Sequence, residues 1–377
     1  MKICFWGNIT GALIGNTEGG GELQIAFLAK ALAALGNEVI IVDFGVKDDF
    51  RTSDGIEIRT IKNWNGGMRV LRTVTHRMPG LYHTLKEQNA DIYYCRIRDF
   101  RHILAYRVAR KLGAKFVLHM ASDLDAMDLM SRLKNYYFET RASLWMFFSG
   151  IMTEMAQPLL LRNADLVLVQ HCGQKNILLN KNISPVIFYN IIDMKAIPVN
   201  ENNLHEDFVY VGWLDKRKGF PEFFDLVSRS PMHNFKIIGP PRDSIGAMYY
   251  EKLKAFSNVK LLGILSYKRT LHEISTSKAL ISTSHMEGFP NVFIEAWACG
   301  IPVYSLSVDP GDVIENEKLG IMAHGSIDKL KAALDNHENS AEFASRARKY
   351  VEENHAMNIK KAEELNQIFK NLLNGQQ

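Results

Sequence analysis

Cysteine is scarce: Cys4, Cys95, Cys172 and Cys299 are the only four, they lie far apart, and none belongs to a CxxC pair. That argues against a disulfide framework and against a zinc ribbon, and makes a reducing, cytoplasmic setting the expectation. Glycine and proline are also few, 26 and 11 in 377 residues, and no short repeat or low-complexity run occurs, which excludes collagen-like and disordered classes. Charge of one sign is in little excess. A formal net charge of +4 is far from the dense charge of a dedicated nucleic-acid binder. Long apolar runs are missing too. The most membrane-like stretch, Ser143 to Leu161, is broken by Glu154, Gln157 and Pro158, short of the ~20 apolar residues a span requires. At the start of the chain, ICFWG breaks at Gly7 and lacks the longer apolar core of an export signal.

What the chain does have is enough apolar material, 47% of residues, to build packed cores throughout, and a length that fits two domains of ~150 to 200 residues. Short runs of Ile, Val, Tyr and Phe alternate with helical-period segments, the βαβα rhythm of parallel sheets. Strands are predicted at Lys2–Trp6, Glu38–Asp43, Asp91–Cys95, Lys115–His119 and Ala164–Gln170, then at Phe208–Val211, Phe235–Ile238, Val259–Leu262, Ala279–Ser282 and Pro302–Leu306. The rhythm runs twice, with a linker-like stretch from Pro185 to Asn203 between. The expected organisation is therefore two Rossmann-like doubly wound α/β domains, residues 1–193 and 194–355, facing each other across a cleft. A final helical segment, 356–377, is expected to pack back across the boundary. The basic surplus sits in the first part, with 23 Lys+Arg against 18 Asp+Glu up to Asp193 and 22 against 23 beyond it.

Three motifs carry chemistry. Gly19-Gly20-Gly21 precedes a helix bearing Ile25, Leu28, Leu32 and Leu35 on one face; glycines and a helix start suit a phosphate, although a plain tight turn explains the same residues. Gly212-Trp213-Leu214-Asp215-Lys216-Arg217-Lys218-Gly219 follows a predicted strand, and its three cations suit a diphosphate, or a solvated basic turn. The most specific is the run Ser284 to Gly300, SHMEGFPNVFIEAWACG, in which a strand ends in a Gly/Pro loop and a helix starts near Asn291. Glu287 on the loop and Glu295 one turn into the helix place two carboxylates for sugar hydroxyls beside amides for phosphate oxygens.

The EGFPNVFIEAWACGIPV stretch resembles the E-x7-E signature of retaining glycosyltransferases of the GT-B fold, glycosyltransferase family 4. The glycine loop with Glu22, VGWLDKRKG, FKIIG, VKLLGIL and FYNIID fit in order, densely from Phe208 to Pro302 and sparsely in the N-terminal half. The resemblance implies that Arg217 and Lys218 hold the donor diphosphate, that Glu295 holds the nucleotide ribose and that Glu287 holds the transferred sugar. Gly288, Phe289, Asn291 and Val292 would add loop and backbone contacts. Gly20 and Gly21 would close on the diphosphate from the facing domain, and His119, ending KFVLH, would lie near the reaction centre. One departure is Trp213, where many relatives carry arginine.

The resemblance implies a retaining, metal-independent hexosyltransferase with no cofactor. Its donor would be a UDP- or GDP-sugar and its acceptor a glycan or a lipid-linked glycan, in cell-surface polysaccharide or glycolipid synthesis. Asp123-Leu124-Asp125 mimics the metal-binding DxD of another glycosyltransferase fold and reads as coincidence. Residues 127–161, with Tyr136, Tyr137, Phe138, Trp145, Phe147 and Phe148, and the upstream Arg96, Arg98, Arg101, Arg107 and Arg110 suit peripheral docking at the inner face of a membrane. Core helices or a dimer contact would explain them as well. A sugar-nucleotide epimerase and a non-catalytic sugar-nucleotide-binding protein are the alternative classes; product analysis separates the first, and donor turnover with glycan acceptors excludes the second.

Overall fold

The computed structural model describes residues 1–15, 19–69, 71–127, 144–198, 206–338 and 341–375, with the side chains of 144–148 also outside the description. The chain divides into two compact units, Met1–Ile191 together with Met357–Gln377, and Ile192–Ala356.

In the first unit the strands are β1 (Lys2–Gly7), β2 (Glu38–Asp43), β3 (Phe50–Arg51), β4 (Glu57–Thr60), β5 (Ile92–Cys95), β6 (Lys115–His119), β7 (Leu166–Val169) and β8 (Val186–Ile187). They form one sheet in the order β3-β4-β2-β1-β5-β6-β7-β8, parallel except for the β3–β4 edge pair. The helices between them are α1 (Thr10–Leu13), α2 (Gly20–Ala34), α3 (Met78–Gln88), α4 (His102–Leu112), α5 (Leu144–Asn163) and α6 (Cys172–Leu179). Strands buried on both faces need unbroken apolar runs, and IIV in β2 or FVL in β6 supply them. Alternation then sorts the side chains. Cys4, Trp6, Tyr93 and Phe116 enter one core with Leu85 of α3, Val108 of α4 and Leu160 of α5, while Ile3, Phe5, Tyr94 and Val117 enter the other with Ile25 and Leu28 of α2.

The second unit holds β9 (Asp207–Val211), β10 (Phe235–Ile238), β11 (Val259–Gly263), β12 (Ser277–Ser282), β13 (Val303–Ser305) and β14 (Gly320–Met322). Its helices are α7 (Phe220–Ser228), α8 (Ser244–Leu253), α9 (Tyr267–Ser275), α10 (Asn291–Ala298), α11 (Val313–Asn316), α12 (Ile327–Asp335) and α13 (Ala341–Asn354). Its fully parallel sheet runs β11-β10-β9-β12-β13-β14, the doubly wound order in which strand progression reverses between the first and fourth strands. That reversal opens the carboxyl ends of β9 and β12 side by side.

The final helix, α14 (Ile359–Leu373), belongs to the first unit. Leu365, Phe369 and Leu372, spaced four and three apart, bury one stripe among Ile25, Leu28 and Leu32. The short strands β3, β4, β8 and β14 are additions to the predicted set. They are two to four residues long, and β4 reads EIRT, with no apolar run to betray it.

Candidate functional site

The two loops that leave β9 and β12 meet at the switch point of the second sheet. Gly219, which precedes α7, has φ +64°, and a Cβ there would sit 1.9 Å from the carbonyl oxygen of Thr283. Only glycine permits this approach, which closes the β9 loop onto the β12 loop. Gly219→Ala is expected to destabilise the chain by about 2 kcal/mol, as a fall in the urea midpoint. An unchanged midpoint would mean that the two loops are not in contact.

Within the β9 loop, Asp215 Oδ1 accepts from the Lys218 amide at 2.8 Å, and the Lys218 carbonyl accepts from the hydroxyls of Tyr210 at 3.4 Å and Thr283 at 3.1 Å. The backbone of Lys218 is thus fixed, and its Nζ donates to Oε1 of Glu287. Lys218, Glu287, Pro290 and Val292 line a small depression together with Tyr210 and Ser284. Arg217 is exposed, and its carbonyl accepts from the His285 amide at 3.3 Å. Trp213 carries the guanidinium of Arg242 over its ring at 5.1 Å, so the β10 loop brings a cation beside the β9 loop.

Helix α10 starts at Asn291 behind Pro290, whose side chain supplies no cap, and a helix start attracts anions. Glu295 lies one turn in, buried, and burial pushes its carboxyl up to about 7 against a hydrogen bond from Tyr267. Gly288 and Phe289 are buried, and the Phe289 ring packs on His355 at 4.8 Å and Trp297 at 6.2 Å. Its ring is therefore core, which leaves the backbone of this stretch for a ligand. Sequence reasoning missed Asp215, Tyr267 and Arg242. Asp215 had a signal, an acid three residues before Lys218 in a turn, whereas Tyr267 and Arg242 reach the site from other loops.

The remaining site candidates belong to the first unit. Gly20 and Gly21 open α2, and a Cβ on Gly21 would meet Ile97 Cγ1 at 2.7 Å, so a side chain there would crowd Ile97. His119 ends β6, 1% exposed. Its Nδ1 accepts from Arg96 Nη1 at 2.8 Å and contacts the Tyr94 hydroxyl at 2.5 Å, while Arg96 Nη2 reaches Asn190 Oδ1 at 2.6 Å. Desolvation, then the Arg96 charge, holds the ring well below its ordinary range, and its backbone bond to Phe188 does not reverse this. The imidazole is neutral and engaged inside the chain, a placement that differs from an open reaction centre.

Arg98 pairs with Asp125 and Glu154, Arg101 with Asp99 and Arg110 with Asp165. With Arg96 buried, these arginines do not form the shared basic surface expected of them; only Arg107 stands exposed without a carboxylate partner among the described residues. Both carboxylates of the Asp-Leu-Asp run are engaged by the chain: Asp123 accepts from His171 Nε2 and Gln174 Nε2, each at 2.9 Å, and Asp125 accepts from the amides of Ala121 and Ser122. No group of three or more metal-ligating side chains occurs among the described residues. Tyr136, Tyr137 and Phe138 lie outside the described residues, as do the side chains of Trp145, Phe147 and Phe148. No described helix is long and apolar enough to cross a membrane.

Residues 195–354 match the sequence model of the family described as Glycosyl transferases group 1. No curated protein matches the chain. Among solved structures, sucrose-phosphate synthase from Thermosynechococcus elongatus superposes with a TM-score of 0.77 at 16% identity, covering 100% of both chains. HepE of Anabaena in complex with UDP and glucose gives 0.71 at 15% identity, covering 98% of this chain and 99% of that one. A variant of TarM from S. aureus in complex with Fondaparinux, α-GlcNAc-glycerol and UDP gives 0.61 at 18% identity, covering 86% and 66%. The chain has the two-unit α/β fold of GT-B glycosyltransferases, and its residues 195–354 are a glycosyl transferases group 1 domain.

Proposed function

We propose that the protein is a retaining, metal-independent glycosyltransferase of family 4 that moves a hexose from a nucleotide-diphosphate sugar to a glycan or lipid-linked acceptor, in the building of a cell-surface polysaccharide or glycolipid. The observation that carries this reading is the convergence, at one switch point, of Lys218, Glu287 and the start of α10, with Glu295 one turn behind. A leaving diphosphate gains negative charge as its bond to the sugar breaks, and a lysine, a neighbouring Arg217 and a helix start supply the fixed positive potential that stabilises it. Glu287 suits hydroxyls of the transferred sugar, and Glu295 suits the paired hydroxyls of the ribose.

In the step we propose, the bond from the anomeric carbon to the donor phosphate oxygen breaks while the acceptor hydroxyl bonds to that carbon on the same face. The acceptor proton passes to the departing phosphate oxygen, which leaves as nucleoside diphosphate. No proton transfer falls to His119, whose Nδ1 is occupied by Arg96. A uridine donor is favoured over guanosine, because HepE is seen with UDP and with UDP-glucose and the TarM variant with UDP. A cytoplasmic enzyme that meets its acceptor at the inner face of the membrane fits this reading.

A thermal-shift panel of nucleotide sugars, followed by assay of nucleoside diphosphate release with and without glycan acceptors, tests the proposal. At ~100 times its dissociation constant the true donor adds ~2.7 kcal/mol of stability. Release that depends on acceptor is the expected result, and a donor altered without any acceptor would replace transfer with epimerisation.

A further inference from the structure

Residues 58–86 contain six cations, Arg59, Lys62, Arg69, Arg72, Arg77 and Lys86, and no Asp or Glu, although the whole chain has a formal net charge of only +4. Arg59 is paired with Asp49 and Glu57. The other five have no carboxylate partner among the described residues, and Lys62, Arg69 and Lys86 stand exposed. In the middle of this run the backbone already turns helically at Met68, with the amides of Leu71 and Arg72 donating to its carbonyl at 3.1 and 2.9 Å. The turn continues through a wider helical stretch, Thr73–Arg77, into α3.

Its inner side is anchored by Thr73, Leu81 and Leu85, all buried. Its outer side carries three large apolar side chains spaced three residues apart, Met68 at 70% exposure, Leu71 at 48% and Val74 at 69%. The surface is built rather than loose. Arg72 Nε donates to the Gly66 carbonyl at 3.0 Å, Arg77 Nε donates to the Trp64 carbonyl at 3.2 Å, and the Arg77 guanidinium lies 5.1 Å over the Trp64 ring. Gly67, at φ +68°, lets the loop pass over His76, where a Cβ would come within 2.4 Å of the imidazole.

The neighbouring helices continue the pattern. Alongside α3 in the layer over the Trp6–Phe116 core lies α4, whose exposed Arg107 and Lys111 have no carboxylate partner among the described residues, while Arg110 is paired with Asp165. Beyond it, α5 exposes Met152, Met155 and Leu159 at one-turn spacing. We infer that this face of the first unit, led by the Met68–Arg77 turn, docks on a bilayer bearing anionic headgroups: Met68, Leu71 and Val74 enter the interface while Lys62, Arg69 and Lys86 meet the headgroup charge. Nucleic acid would satisfy the cations and leave three apolar side chains against a polar backbone, so the lipid surface is the better complement. The contact rests on the proposed lipid-linked acceptor for its purpose, while the binding itself needs neither donor nor acceptor.

Co-sedimentation of the full chain with vesicles of phosphatidylglycerol and phosphatidylcholine, against phosphatidylcholine alone, tests the inference. Binding is expected only to the anionic vesicles and is expected to weaken with salt. The pair Lys62→Gln and Arg69→Gln should lower the partition coefficient about 30-fold, at roughly tenfold per 1.4 kcal/mol and about 1 kcal/mol for each charge. Met68→Ser with Leu71→Ser, which leaves the charge unchanged, should lower it at least about tenfold. Circular dichroism of both variants should match the unmodified chain, and Lys86→Gln is a further variant on a solvated helix position.

Absence of sedimentation with anionic vesicles, or full binding by the serine pair, would overturn the inference. So would displacement from the vesicles by single-stranded nucleic acid at stoichiometric concentration, which would reassign the face to nucleic acid. Nucleoside diphosphate release with a soluble acceptor, measured on the same variants without vesicles, is expected to be unchanged. Loss of release with binding intact would count against the proposed activity alone.

Discussion

Replacing Lys218 with alanine is expected to lower kcat/KM for sugar transfer by about 10- to 150-fold, the ~1.5 to 3 kcal/mol of a lost charge-assisted bond, while the melting temperature stays nearly constant. The two halves of this expectation have separate causes. Stability is spared because the loop is held through the Lys218 backbone, by Asp215 on the amide and by Tyr210 and Thr283 on the carbonyl, and because a Lys–Glu pair whose side chains are 23% and 19% exposed contributes little. Turnover suffers because the ammonium is the one cation already aimed into the depression beside Glu287 among the residues that line it, and its attraction for the diphosphate grows as the sugar departs.

Lys218→Arg should recover part of the rate, since charge is kept and the compact ammonium is replaced by a wider fork. Glu287→Gln separates the roles: if Glu287 mainly restrains Lys218, turnover rises or holds, whereas if it holds sugar hydroxyls, turnover falls with the lysine intact. A Lys218→Ala variant with wild-type kinetics would move the diphosphate elsewhere, and the site assignment in the second unit would go with it.

The parallel strands were legible because their chemistry is redundant: IIVD, KFVLH and FKII each combine β-branched or aromatic residues with burial on both faces, and Gly36, Gly113 and Gly300 end their helices with positive φ. The Glu287-to-Glu295 loop and helix were legible because that chemistry is consecutive in sequence. Edge strands β3 and β14 were not, since two or three residues at a sheet rim need no hydrophobic pattern. Nor was the setting of His119. The sequence places it at a strand end, but Arg96, Tyr94 and Asn190, which decide its charge and access, come from two other loops and a neighbouring strand. The arginines from Arg96 to Arg110 illustrate the same limit. Counted along the chain they make a basic surface, yet carboxylates up to 56 residues away pair with Arg98, Arg101 and Arg110, and Arg96 is buried, while a denser run of cations without carboxylate partners among the described residues lies earlier, between Lys62 and Lys86.

Glu295 makes the second large prediction, a stability that falls as pH rises. Its carboxyl is pushed from 4.5 to about 7 by burial, so between these values the folded chain keeps a proton that the unfolded chain has lost. The stabilisation is fully present below pH 4.5 and is lost as pH climbs through about 7, a total of about 3 kcal/mol at 1.36 kcal/mol per pH unit. Glu295→Gln removes this dependence, so the difference in unfolding free energy between the variant and the unmodified chain isolates it from His119 and His102, whose depressed values act in the opposite sense, stabilising at higher pH.

Tyr267→Phe should move the window upward, because the tyrosine's hydrogen bond is the influence that holds Glu295 down. Donor binding is linked to the same proton. Ribose hydroxyls donate to a carboxylate better than to a carboxylic acid, so the nucleotide sugar should expel the proton and bind up to about tenfold more tightly per pH unit until pH reaches about 7. Calorimetry in two buffers of different ionisation enthalpy would read that proton as a release approaching one per donor bound near pH 6. A donor that binds with no proton released, in a chain whose Glu295→Gln variant binds equally well, would leave the ribose to another residue.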